Sequence, residues 1–140
     1  MPIAAPELQA FAYGFPVALA HWAIAFAILV AAVAAYSLLN PHREMAQVQA
    51  GNAAAAVSLA GALITIALPL AAAISASVTW IEVALWGASV TVIMLLLIRV
   101  IDVTLRGLPE RVAEGDAPAA WLLTSARVAA SIVLAAAVSA

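Results

Sequence analysis

Four long apolar runs, separated by short polar stretches, set the frame of this chain. The first extends from Leu8 to Leu39 and ends at a polar break, Asn40 to Glu44, that continues through Gln49 to Asn52. A second run covers Ala53 to about Ile74, and Ser75 to Ser77 makes a short turn into a third, Thr79 to Leu105. Arg106 to Asp116 is the second polar break, and Ala117 to about Val138 is the last run. An α-helix crosses a hydrocarbon core about 30 Å thick with about 20 residues. The pattern therefore predicts an all-α polytopic membrane protein of four transmembrane helices with only short connections.

The first run is too long for one perpendicular crossing at about 1.5 Å per residue. Pro16 follows the aromatic group Phe11, Tyr13 and Phe15, so a division is expected there, with Glu7–Phe15 interfacial and Val17–Leu39 spanning. Asn52 and Asp116 are placed to cap the helices that follow them, with Pro118 in the first turn of the last one. Pro69 lies inside the second span, where it predicts a kink that frees the carbonyl of Thr65. The N-terminal Met1 to Glu7 lacks a basic region of the kind that opens a signal peptide, so the first span is expected to remain in the mature protein.

At an offset of 64 residues Gly51-Asn52-Ala53 falls on Gly115-Asp116-Ala117, each opening a helix after a proline-containing polar loop. This reads as an internal repeat: residues 1–75 and 76–140 form two tandem helical hairpins of the same orientation, hence parallel.

Composition strengthens the membrane reading. The chain of 140 residues is 68% hydrophobic and 9% charged, with a mean hydropathy of +1.18, where soluble domains carry about a quarter charged residues. Five basic residues, all arginine, against seven acids leave no basic surface for nucleic acid. With no cysteine, disulfides and thiolate metal sites are excluded. Arg43, Arg106 and Arg111 all fall in or beside the polar breaks, while both termini and the Ser75–Ser77 turn lack Lys and Arg. By the positive-inside rule both loops face the cytoplasm and both termini the outside. Trp22, Trp80 and Trp86 then mark the outer interface, and Tyr36 and Trp121 the inner one.

Pro41-His42-x-Glu44, Gly51-Asn52-Ala53-Ala54-Ala55, Gly61, Pro69-Leu70-Ala71 and Trp86-Gly87 together resemble domain-of-unknown-function family 350, the YjfL-like bacterial membrane proteins. The resemblance covers essentially the whole chain. It implies tandem two-helix units with a Gly-Asn after each loop, an inner-membrane location in a bacterium, and an association with envelope-stress proteins related to the phage-shock system. Asp116 departs from the Asn expected in the second copy, which puts any role for an amide there in doubt.

Ionisable groups inside a bilayer are costly and mark sites by default. Arg127 lies about 15 Å into the last span. Side chains lean toward their helix N-terminus, so Arg127 and Asp102, on antiparallel neighbours, point at each other. A buried Asp102–Arg127 pair is expected, with Arg99, one turn from Asp102, as competitor or third member. Such a pair serves either as a structural clasp or as part of a conduit. Glu82 reads as a helix cap, and His21, with no second histidine at its depth, as an interfacial side chain. His42, Arg43 and Glu44, with Glu110, Arg111 and Glu114, form the cytoplasmic patch available to a soluble partner. Small residues recur as Ala23, Ala27, Ala31 and Ala35 and as Gly61 and Thr65, stripes that favour close helix contact. The bulky stretch Val92 to Ile98 marks the third span as lipid-facing or peripheral.

No phosphate-binding loop, metal-ligand spacing or Ser-His-acid set is present, so neither enzyme activity, cofactor nor metal is expected. The leading expectation is a non-catalytic membrane subunit or scaffold, homo-oligomeric or within a larger complex. The alternative is a small-solute or ion conduit through Arg99, Asp102 and Arg127.

Overall fold

The computed structural model describes residues 5–140; Met1 to Ala4, part of the stretch read for a signal sequence, lie outside them. The described residues form six helices: α1 (Pro6–Leu39), α2 (Glu44–Gln49), α3 (Ala53–Ala76), α4 (Trp80–Thr104), α5 (Leu108–Ala113) and α6 (Ala117–Ser139). The four long ones, α1, α3, α4 and α6, are long and apolar enough to cross a membrane, which makes this a polytopic all-α membrane protein. Their ends fall within two residues of the spans expected from hydropathy, except at the start of α1.

Pro16 does not divide the first helix; α1 runs unbroken for 34 residues, about 51 Å. A proline removes one backbone bond, but in a low-dielectric medium ending the helix would leave several polar groups unpaired, so the helix continues through it.

Each polar break holds a short helix whose end starts the next long one. The Gly51 N–H bonds the Val48 carbonyl at 3.0 Å and the Asn52 N–H bonds the Gln47 carbonyl at 3.0 Å. The same pair recurs as Gly115 to Val112 at 3.0 Å and Asp116 to Arg111 at 2.9 Å. These are Schellman turns, which need a left-handed residue, and Gly51 and Gly115 sit at φ 91° and 92°. Asn52 Oδ1 then accepts from Ala55 N at 3.1 Å and Asp116 Oδ1 from Ala119 N at 3.3 Å, so each residue closes one helix and caps the next. At the turn between α3 and α4, Thr79 and Glu82 form a reciprocal capping box.

The most extensive helix contact joins α3 to α6, across the two halves of the chain rather than within either. Gly61 permits it: a β-carbon there would overlap the Thr124 side chain of α6. The interior is filled in three clusters. Tyr36, Ile66, Met94 and Ile98 lie midway; Ala54, Val112, Ala120 and Leu123 lie at the loop end; Ala25, Leu70 and Val83 lie at the far end.

Two expectations about faces are corrected. The third span, α4, is not peripheral: it buries Val83, Val90, Met94 and Ile98 on one face and turns Val92, Ile93 and Leu96 outward. The helix with least buried surface is α1, which packs through Ala25, Ala32 and Tyr36. Ala23, Ala27 and Ala31 lie on its exposed side, one residue or more out of phase with that contact face.

Candidate functional site

The buried charged groups of the bundle gather at the end where α2 and α5 lie. Arg127 belongs to a stripe on α6, with Ala120, Leu123 and Ser131, that a four-residue spacing turns inward, and it is 1% exposed. Asp102 sits in the last turn of α4. Its Oδ1 accepts from Arg127 Nη2 at 2.7 Å and from Nε at 3.1 Å. The remaining terminal nitrogen, Nη1, donates to Ser58 Oγ on α3 at 3.1 Å and to Tyr36 Oη on α1 at 3.3 Å.

Those two hydroxyls pass the contact on. Tyr36 donates to Glu44 Oε2 at 2.8 Å and Ser58 donates to Glu44 Oε1 at 2.7 Å. Each hydroxyl has one proton and spends it on Glu44, so each is free to accept from Arg127, which only donates. In this arrangement both Glu44 oxygens accept and every Arg127 side-chain nitrogen donates. The guanidinium thus bonds one carboxylate directly and a second through two hydroxyls, and five helices meet at one cation.

Glu44 reaches this position through local backbone geometry. Asn40 Oδ1 accepts from the His42 N–H at 3.0 Å, turning the chain after α1, and Arg43 adopts a left-handed conformation at φ 49°. The chain reverses, and the first residue of α2 points back beneath α1 and α3. The expected cytoplasmic contact through Glu44 is therefore corrected: it is 7% exposed, while Arg43 beside it is exposed and His42 half-buried. A carboxylate whose two oxygens are taken by buried hydroxyls has nothing left for a soluble partner. Tyr36 likewise leaves the inner aromatic belt for the interior, at 5% exposed; Trp121 stays outside at 61%.

Asp102 Oδ2 takes no part in these bonds, and Asp102 lines a cavity of about 390 Å³ at the loop end, with Asn40, His42, Glu44, Arg106 and Glu110 around it. Arg99 lines the same cavity but joins no ion pair; its side of α4 is exposed. The pairs among the described residues are Arg127–Asp102 and Arg111–Asp116. The structure thus brings Asp102 and Arg127 together and leaves Arg99 at the rim.

Pro69 is buried inside α3, and the Thr65 carbonyl that it cannot pair accepts from Ser131 Oγ at 2.6 Å. The Thr65 and Thr91 hydroxyls are buried without a partner. Beyond Thr91 the interior holds Ala25, Leu70 and Val83, with no buried polar side chain among the described residues there.

The helix-entry residues divide their work. Asn52 Nδ2 donates to the Val112 and Ala113 carbonyls at 3.0 and 3.2 Å, tying the first loop to the second. Asp116 has no N–H to donate and binds Arg111 instead, through Nε at 2.7 Å. Gly51 and Gly115 provide only the turn.

Tyr36, Ser58 and the inward Glu44 were not in the sequence-derived site. One signal pointed to them: Tyr36 and Ser58 are hydroxyls within a turn or two of the same loop end as Asp102.

Among known proteins, the family model described as Domain of Unknown Function (DUF350) matches residues 10–138. The inner membrane protein YjfL of Escherichia coli strain K12 is 26% identical over 113 residues, covering 81% of this chain and 86% of that protein. Its counterpart in Escherichia coli O157:H7 matches to the same extent. No solved structure matches.

Proposed function

The chain belongs to the DUF350 family, and on that premise we propose that it serves as a non-catalytic integral subunit or scaffold of the bacterial inner membrane, as the name of its Escherichia coli relatives suggests for the location. The observation that carries this reading is the closure of the Arg127 network. One cation holds α1, α2, α3, α4 and α6 in register, and its outward side is sealed by Ala25, Leu70 and Val83. Such a centre fixes a shape and transports nothing. In this reading the two halves are tandem parallel hairpins, the α2 and α5 loops face the cytoplasm, and both termini lie outside.

The outward alanines of α1, at Ala23, Ala27 and Ala31, then offer a close-packing seam to a second copy or a partner helix. Arg43 and Arg111 with Glu114 remain on the loops for a soluble partner, for which the family resemblance points to envelope-stress proteins.

One observation favours the conduit as second reading. The cavity reaches Asp102, and the unpartnered Thr65 and Thr91 hydroxyls extend the polar groups part of the way across. Purification in mild detergent with mass identification of companions, paired with flux from proteoliposomes, separates the two. A stable companion or homo-oligomer without flux is expected; flux that Asp102→Ala abolishes would replace the scaffold by the conduit.

A further inference from the structure

Three of the five arginines, Arg43, Arg99 and Arg106, have no side-chain partner among the described residues, and the last two line one cavity. Arg99 and Arg106 stand two turns apart along the loop end of α4, lie exposed, and form no ion pair among the described residues. Two unpaired guanidiniums on one cavity repel one another unless an anion stands between them. The carboxylates that share the cavity do not fill that role. Asp102 is committed to Arg127 and Glu44 to Tyr36 and Ser58. Glu110 lies at the same mouth and pairs with nothing among the described residues.

The setting narrows the anion. Arg99 is five residues inside the end of α4, about 7.5 Å below it, and Arg106 lies just past that end. That interval is the depth of a headgroup layer. Around Arg99, Val103 of α4 lines the cavity, Leu39 of α1 borders Arg99 in the adjoining pocket, and Leu96 and Val100 lie exposed within a turn on α4, so this side is apolar. A soluble anion entering from the loop end would meet only the polar groups, whereas a membrane lipid reaches the guanidiniums and the apolar flank together.

We propose that the cavity beside α4 binds a glycerophospholipid, its phosphate held between Arg99 and Arg106 and its acyl chains along Leu96, Val100 and Leu39. Guanidinium forks match phosphate oxygens, and Glu110 suits a headgroup that also carries an ammonium. The probe is therefore phosphatidylethanolamine.

Native mass spectrometry of the full chain in mild detergent reads the bound lipid directly. With phosphatidylethanolamine added, one lipid per chain is expected to persist, and diacylglycerol, which lacks the phosphate, is not. Arg99→Ala with Arg106→Ala should lower occupancy roughly thirtyfold, taking about fivefold for each guanidinium's contact with the lipid phosphate. Arg99→Lys with Arg106→Lys should retain most of it, and Arg43→Ala, away from the cavity, all of it. If the double alanine variant is not monodisperse, Arg106→Ala alone is read, because that side chain lies beyond the helix end and packs in no core. Equal retention by wild type and the alanine variants overturns the site. Displacement of the lipid by millimolar inorganic phosphate overturns the lipid as its occupant.

Discussion

Arg127 and Glu44, buried and opposite in charge, do not pair directly; the hydroxyls of Tyr36 and Ser58 stand between them. Direct contact would need the α2 carboxylate to take the place of both hydroxyls at Arg127 Nη1. With the hydroxyls between, one cation satisfies two acids on different helices, and each hydroxyl's proton direction follows from its neighbours' charges.

Tyr36→Phe and Ser58→Ala should each destabilise the protein by about 1–2 kcal/mol, because each leaves a buried Glu44 oxygen and an Arg127 N–H short of a partner. The double variant should lose more than the sum, since either hydroxyl alone still links the charges. Thermal unfolding in one detergent, followed by helix signal, measures all three; strict additivity would mean that the two hydroxyls act separately.

Replacing Arg127 by Met should cost about 3–5 kcal/mol, as two carboxylates are then left in the interior. Asp102→Asn should cost clearly less, because that side chain is 15% exposed toward the cavity and its amide oxygen still accepts. Exchanging the two charges, Asp102→Arg with Arg127→Asp, tests their contact: the double exchange should be better folded than either single reversal, judged by monodispersity after purification.

How much of this was legible beforehand differs between fold and site. Hydropathy located the spans because about 20 apolar residues have few other uses. Depth was legible too: the helical rise puts Arg127 about 15 Å and Asp102 about 6 Å from the loop end, a gap that two side chains leaning toward each other on antiparallel helices can close. What counting cannot supply is rotation at a loop. Glu44 reads as a solvated loop acid until the left-handed Arg43 and the Asn40 turn reverse the chain, and Tyr36 near an interface reads as belt until Glu44 gives its hydroxyl an inward partner. Pro16 misled for a related reason: proline breaks helices readily in water, where a freed carbonyl finds another partner, and less readily in lipid.

The two capping residues should answer differently to exchange. Asn52→Asp keeps the cap on Ala55 but puts a carboxylate against the Val112 and Ala113 carbonyls, where an N–H now donates. A loss of about 1–3 kcal/mol is expected. Asp116→Asn keeps its cap on Ala119 and loses only the exposed Arg111 pair, for a change under about 1 kcal/mol. Equal effects at both positions would show that the link between the loops adds nothing.

At the α3–α6 contact, Gly61→Ala drives a methyl into Thr124 and should destabilise by about 1–3 kcal/mol. Thr124→Ala in the same chain removes the atoms it meets, apart from the β-carbon, so most of the loss should return. A double variant no more stable than Gly61→Ala alone would mean that the two helices approach elsewhere.

Pro69 and Ser131 form a compensated pair that a double-variant cycle can expose. In the native chain the Thr65 carbonyl has lost its helical partner to the proline ring and takes the Ser131 hydroxyl at 2.6 Å instead. Ser131→Ala should therefore be destabilising by about 1–2 kcal/mol, the upper range for side-chain hydrogen bonds between membrane helices. In a Pro69→Ala background the restored N–H reaches the same carbonyl, so the same serine substitution should be nearly neutral. The difference between the two measurements is the coupling energy. A coupling near zero would mean that the carbonyl needs no partner and that Ser131 serves α6 for some other reason.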